Sequence, residues 1–229
     1  MEELPAKEIQ ASGYAPRDDR EAAIVQTLPP GNYTAIVRGI AATVGTALLE
    51  VHDLDQSSAS LITNISTRGA VGTDANVMIG GFIVGNGLGS NGDGSSEVLV
   101  RALGPELTSF GIADALLDPK MELFDGNGNL LASNDNWKDS QQAAIQATGL
   151  APGDDRDPAI LAILIQGNWT AIVRGKNNTT GVALLKSTGF TDVAAAVAGG
   201  REPLQLGQQV FQIQSSREHL NLSVCITRP

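Results

Sequence analysis

One stretch of this chain is written twice, and the duplication limits the fold more than any other feature. Gly31-Asn-Tyr-Thr-Ala-Ile-Val-Arg-Gly39 returns 136 residues later as Gly167-Asn-Trp-Thr-Ala-Ile-Val-Arg-Gly175. Residues 9–51 align on 145–187 without a gap, and 25 of the 43 positions are identical. Within the shorter stretch, Tyr33, Ala35 and Val37 fall on one face of an extended chain and Thr34, Ile36 and Arg38 on the other. A second extended run, 46–54 and its copy 182–186, follows after a polar turn. An internal repeat of strand, turn and strand points to an all-β fold.

The rest of the chain extends that pattern. Strands are predicted over 22–28, 32–38 and 46–54, then over 61–67, 77–84, 97–103, 120–125, 130–134, 159–165, 169–174 and 182–186. The turns between them use Gly, Pro and Asn, as in Pro29-Pro-Gly31 and Asp125-Gly-Asn-Gly-Asn129, where positive φ is cheap. Two short helices are expected, at 105–117 behind an early proline and at 140–147. Eight short strands in residues 56–186 make one complete jelly-roll-like β-sandwich unit. Residues 1–55 read as the C-terminal half of a first unit, so the chain reads as a piece of a longer repeat protein. Residues 187–229 depart from the repeat and read as an unrelated tail, with strands at 208–214 and 220–227. Three strands without their unit have unpaired N–H and C=O groups on their edges. They are expected to pack on the complete unit, to pair with the tail, or to exchange between chains as a homo-oligomer.

Charge and composition narrow the partners. A net charge of −10 disfavours nucleic acid and anionic membranes, both of which attract clustered Lys and Arg. No apolar run approaches the roughly 18–20 residues of a membrane-spanning helix, so no membrane insertion is expected. Met1-Glu-Glu-Leu-Pro5 shows no apolar segment of a signal peptide. A single cysteine, Cys225, excludes a disulfide framework within the chain.

Few residues suggest chemistry, and each has a plainer reading. Asp18-Asp19-Arg20 and Asp154-Asp155-Arg156 recur in both copies. Paired carboxylates on a turn suit calcium, and Asp135 and Asp139 could join the second pair. Alternatively these Asp side chains cap backbone N–H groups and pair with Arg. Trp137 stands in a polar loop and is the best candidate for a surface contact, for instance with a polysaccharide or a cell-surface polymer. Gly87-x-Gly-x-x-Gly92 has dinucleotide-loop spacing but leads into a strand, where that motif needs a helix. A hydrolase would have to use a loop serine, Ser90 or Ser95, with one of two histidines, His52 or His219. No G-x-S-x-G elbow supports this.

The run Asp118-Pro-Lys-Met-Glu-Leu-Phe-Asp-Gly-Asn-Gly-Asn129, with Gly167–Gly175 and Thr180-Gly-Val-Ala-Leu-Leu185, resembles the bacterial pre-peptidase C-terminal type of β-sandwich. The 136-residue unit is also similar to tandem repeats of large exported bacterial proteins. This resemblance implies a non-catalytic extracellular or cell-surface module, a spacer or a binder of surfaces and polymers. Its motifs are turns and core positions, which specify fold rather than chemistry.

Overall fold

The computed structural model of the chain describes residues 6–43, 45–54, 61–85, 95–189, 193–198, 209–216 and 220–227. Short helices α1 (Ala6–Ala11) and α2 (Gln142–Ala147) occupy equivalent places in the two copies of the repeat. The strands are β1 (Ala22–Leu28), β2 (Gly31–Val37), β3 (Leu48–Asp53), β4 (Leu61–Val71), β5 (Met78–Val84), β6 (Ser96–Leu103) and β7 (Pro119–Asp125). They continue as β8 (Leu130–Asn134), β9 (Ala159–Leu164), β10 (Gly167–Gly175), β11 (Gly181–Gly189), β12 (Val193–Ala198), β13 (Gln209–Ser216) and β14 (Leu220–Thr227). The expected helix at 105–117 is a 3-10 turn over Pro105–Phe110, closed by Gly111 in the left-handed region.

The strands form an eight-stranded sheet, in the order β1-β14-β3-β12-β5-β10-β7-β8, and a six-stranded sheet, β2-β13-β4-β11-β6-β9. Their apolar faces meet in one core that takes Met121 and Leu123 from β7, Trp169, Ala171 and Val173 from β10, Val98 and Val100 from β6, and Ala183 and Leu185 from β11. Alternation explains the choice: on β10 every second residue is buried, and the residues between are not. The all-β sandwich read from the sequence is the fold observed.

Within it, β4-β11-β6-β9 faces β5-β10-β7-β8, which is the complete unit. The first copy is arranged by the same rule with borrowed strands. β1, β2 and β3 correspond to β9, β10 and β11 at the repeat spacing of 136 residues. They sit in the orders β12-β3-β14-β1 and β13-β2. The tail strands β12, β13 and β14 therefore occupy the places that β4, β5 and β6 hold in the complete unit. The first strands pair with the tail, as expected: Ala22 lies opposite Ile226, Val37 opposite Gln209 and Leu49 opposite Ile226. Leu49 and Val51 also join the core of the complete unit. The tail shares no text with the repeat, yet its strands hydrogen-bond into both sheets. Corresponding strands lie in opposite sheets, so an approximate two-fold axis relates the two sets.

Local geometry follows the shared text closely. Thr179 N–H donates to the Lys176 carbonyl at 3.1 Å, and Thr43 N–H donates to the Ile40 carbonyl at 3.1 Å. The middle residues of these turns, Asn177 and Ala41, are both left-handed, at φ 53° and 51°. Before each turn only glycine fits, since a Cβ on Gly175 or Gly39 would lie 1.9 Å from the carbonyl oxygen of Thr179 or Thr43.

Candidate functional site

The two serine–histidine readings meet different obstacles. Ser90 and His219 lie outside the described residues. His52 stands on β3 in the eight-stranded sheet and Ser95 lies just before β6 in the six-stranded sheet, where it is buried. Tyr14 stacks on the His52 ring with centroids 3.7 Å apart and planes 13° from parallel. The His52 Nε2 is buried with no hydrogen-bond partner among the described residues. Burial pulls its pKa below the ordinary value, against a smaller upward pull from Glu50. An imidazole covered by a tyrosine ring, with its Nε2 buried, stands as a half-buried packing residue.

Five of the six carboxylates considered for calcium have side-chain partners in the structure. Asp154 accepts from the Arg156 backbone N–H at 3.0 Å, and from Nε and Nη2 of the same guanidinium at 2.9 and 2.8 Å. Asp18 repeats this with Arg20 at 2.9, 2.8 and 2.5 Å. The side-chain bond to Arg156 is the largest cause holding the Asp154 pKa below the usual carboxylate value. Asp155 pairs with Lys138 at 2.6 Å and Asp135 with Lys176 at 2.5 Å. Asp139 accepts from the Asn136 amide at 3.0 Å. Among the described residues no three His, Cys, Asp or Glu side chains come together as ligands. The chemistry of Asp-Asp-Arg is that of a capped turn: a carboxylate binding both a backbone N–H and the in-plane N–H edge of a guanidinium. Asp19, the remaining candidate, lies in the Asp18–Arg20 turn.

Trp137 is a core residue rather than a surface contact. It is 4% exposed and packs with Leu99, Ile145 and Ala159. The reason lies in its polar neighbours. Asn134 donates to the Asn136 carbonyl at 3.0 Å and accepts from the Ala159 N–H at 2.9 Å, pinning the loop across the outer face of the six-stranded sheet. A second layer consequently forms there, with α2 above β9, and the indole faces inward.

Beside this layer lies a group of charges that no sequence motif marks. Asp157 is fully buried, accepts from the Gly104 N–H at 2.7 Å, and has no partner for Oδ2 among the described residues. Burial raises its pKa to about 7, partly offset by backbone hydrogen bonds from Gly104 and Glu106. Arg101, 7% exposed, donates to the Leu150 carbonyl at 2.6 Å. Lys186 lies opposite Arg101 across β6 and β11. Burial lowers the pKa of both cations. Glu106 reaches the same region, accepting from the Gly153 N–H at 2.8 Å. Perturbed groups of this kind often mark active sites. Here they tie the 104–106 turn to the 150–157 loop, and both are backbone-anchored. A small cavity lies elsewhere, between the sheets among Ile65, Thr67, Gly80, Phe82, Ala171 and Leu185, with room on the order of one water.

The two aromatic residues at equivalent strand positions serve as corner pins. The Trp169 indole N–H donates to the Ile165 carbonyl at 3.1 Å, and the Tyr33 hydroxyl donates to the Pro29 carbonyl. Each closes the turn entering its strand from four residues back. Among the described residues no helix is long and apolar enough to cross a membrane.

Comparison with known proteins adds no identity. No family model matches the chain, and no curated protein matches it. Solved structures with weak likeness include infectious bursal disease virus Gt strain, at 12% identity and TM-score 0.13, over 91% of this chain and 41% of that one. The structure of the Gx strain gives 12% identity and TM-score 0.14, over 91% and 42%. The VP2 subviral particle of that virus gives 11% and 0.11, over 91% and 41%. The chain thus spans about two fifths of those capsid chains, and the superposition is too poor to carry an argument.

Proposed function

We propose that this chain is a non-catalytic β-sandwich module of a larger exported repeat protein, of the pre-peptidase C-terminal type, that spaces or attaches other domains at the cell surface. The observation that carries this reading is where the duplicated text goes. Its identical residues build turns and core: Gly39 and Gly175, Asp18–Arg20 and Asp154–Arg156, Ala35 and Ala171, Val37 and Val173. A repeat selected for chemistry would keep side chains that converge on a cleft, and this one keeps those that shape a slab. The acidic surface suits a soluble spacer between domains.

The rival reading, an esterase-like hydrolase, makes a sharp experimental claim. Hydrolysis of a chromogenic short-chain ester by the wild-type chain should equal that of the His52→Ala, His219→Ala double variant, both at the level of buffer. Turnover that the double variant loses would overturn the module reading.

A further inference from the structure

The two-fold arrangement leaves one specific place unfilled. In the complete unit β10 is flanked by β5 on one side and by β7 on the other, with β8 beyond. Its counterpart β2 is flanked by β13, which stands where β5 does, and among the described residues nothing stands where β7 and β8 do. The side chains report the same gap independently. Trp169, Ala171 and Val173 are 8%, 1% and 0% exposed, whereas their equivalents Tyr33, Ala35 and Val37 are only half-buried. Ile160 on β9 is 3% exposed, whereas its equivalent Ile24 on β1 is 54% exposed. A strand edge and an adjoining apolar face are thus open together, and the chain itself displays the element that closes such a site.

We propose that the free edge of β2 is a docking site for a β-hairpin built like Pro119–Asn134, supplied by a neighbouring repeat of the same text. Pairing would be antiparallel, in the register of β10 with β7. There Val173 faces Met121, Ala171 faces Leu123 and Trp169 faces Asp125. Transferred by the repeat spacing, Val37 meets a residue in the place of Met121, Ala35 one in the place of Leu123, and Tyr33 one in the place of Asp125. The guest's alternating apolar side chains then lie over Ile24 and complete the core, while its backbone satisfies the groups that β2 leaves open. This is strand addition, in which the main chain gives affinity and alternate side-chain pockets give specificity. It rests on the reading above that further repeats of this text lie alongside, and it adds a defined partner for one edge of the sandwich, whether or not the outer faces bind a polymer.

The test uses the full chain and a fluorescently labelled peptide of residues 118–137. Saturable binding by anisotropy is expected, together with slowed amide exchange across Asn32–Val37. Putting Leu123→Asp in the peptide, or Ile24→Asp in the chain, should weaken binding about tenfold or more, as loss of one buried aliphatic contact does. Because Ile24 is already exposed, the I24D chain should keep the wild-type melting temperature, which separates lost docking from lost folding. No binding, equal binding of the Leu123→Asp peptide, or indifference to I24D would overturn the proposal. Self-association of the chain that excludes the peptide would also overturn it, in favour of a second copy as the occupant.

Discussion

The two copies of the repeat share their turns and differ in what covers them. Ile145 on α2 is fully buried under Trp137, while Ile9 at the same place on α1 is half-buried. Ile160 is sealed in the core and Ile24 is mostly in water. Yet the Asp-Asp-Arg turns, the left-handed residues at 41 and 177, and the aromatic corner pins superimpose in kind from one copy to the other. Local hydrogen bonds and φ/ψ preferences are thus written in a few consecutive residues. Burial is supplied from outside, by β7, β8 and the loop carrying Trp137 in one copy and by the tail strands in the other. Identical text can therefore carry unequal free energy.

The largest expected difference comes from truncating the matched isoleucines. Ile160→Ala should cost about 2–5 kcal/mol, the range for a buried aliphatic residue cut to alanine. Ile24→Ala should stay within about 0.5 kcal/mol, as exposed substitutions do. Urea unfolding of the two variants measures this, and equal losses would mean that Ile24 is covered in solution.

The next effect depends on pH and belongs to the second copy. Asp157 titrates near pH 7 when folded, against an ordinary value of 3.8. A carboxyl raised in this way keeps its proton in the native state while the unfolded chain loses it. Stability is then greatest at and below about pH 4 and falls as pH rises toward 7, by up to roughly 1.4 kcal/mol per unit, and levels off above. Asp157→Asn should flatten this part of the stability–pH curve while keeping an oxygen for the Gly104 N–H. A wild-type curve that is already flat between pH 4 and 7 would contradict the buried, protonated carboxyl.

The smallest effect sharpens the comparison of turns. Ala41 holds a left-handed conformation that Asn177 occupies more cheaply. Ala41→Asn should stabilise the chain by about 1 kcal/mol or less, since asparagine tolerates this region and alanine pays for its Cβ. Thermal melts of A41N against the wild type decide the sign.

Much of the fold was legible because it lies in short periodic runs. Alternation and turn residues locate the strand at Leu220–Thr227, the hairpin around Asp125–Asn129 and the helix at Gln142–Ala147. In that hairpin Asp125 accepts from the N–H groups of Asn127 and Asn129, and Gly128 takes φ 82°, as the turn text implies. What escaped was decided at longer range. β12 is an Ala/Val run with no polar residue to mark a face, so periodicity gives no signal. Trp137 is buried because Asn134 folds its polar loop onto a sheet, a contact between residues 25 positions apart. Asp157 follows two solvated Asp residues in the same run and resembles them in text, but its neighbour across the fold is Gly104. Of the carboxylates that suggested calcium, Asp18 and Asp154 meet an arginine two residues on, Asp155 meets Lys138 and Asp135 meets Lys176, and no local rule distinguishes these outcomes.

The alternation of corresponding strands between sheets has a consequence for how such a slab meets its surroundings. α1 rests beside β1, at one end of the eight-stranded sheet, and α2 beside β9, at one end of the six-stranded sheet. The same loop text is therefore displayed on opposite sides of the molecule by successive copies. Anything that reads that loop would encounter it from two directions, which makes the sandwich a two-sided tile rather than a surface with a back and a front.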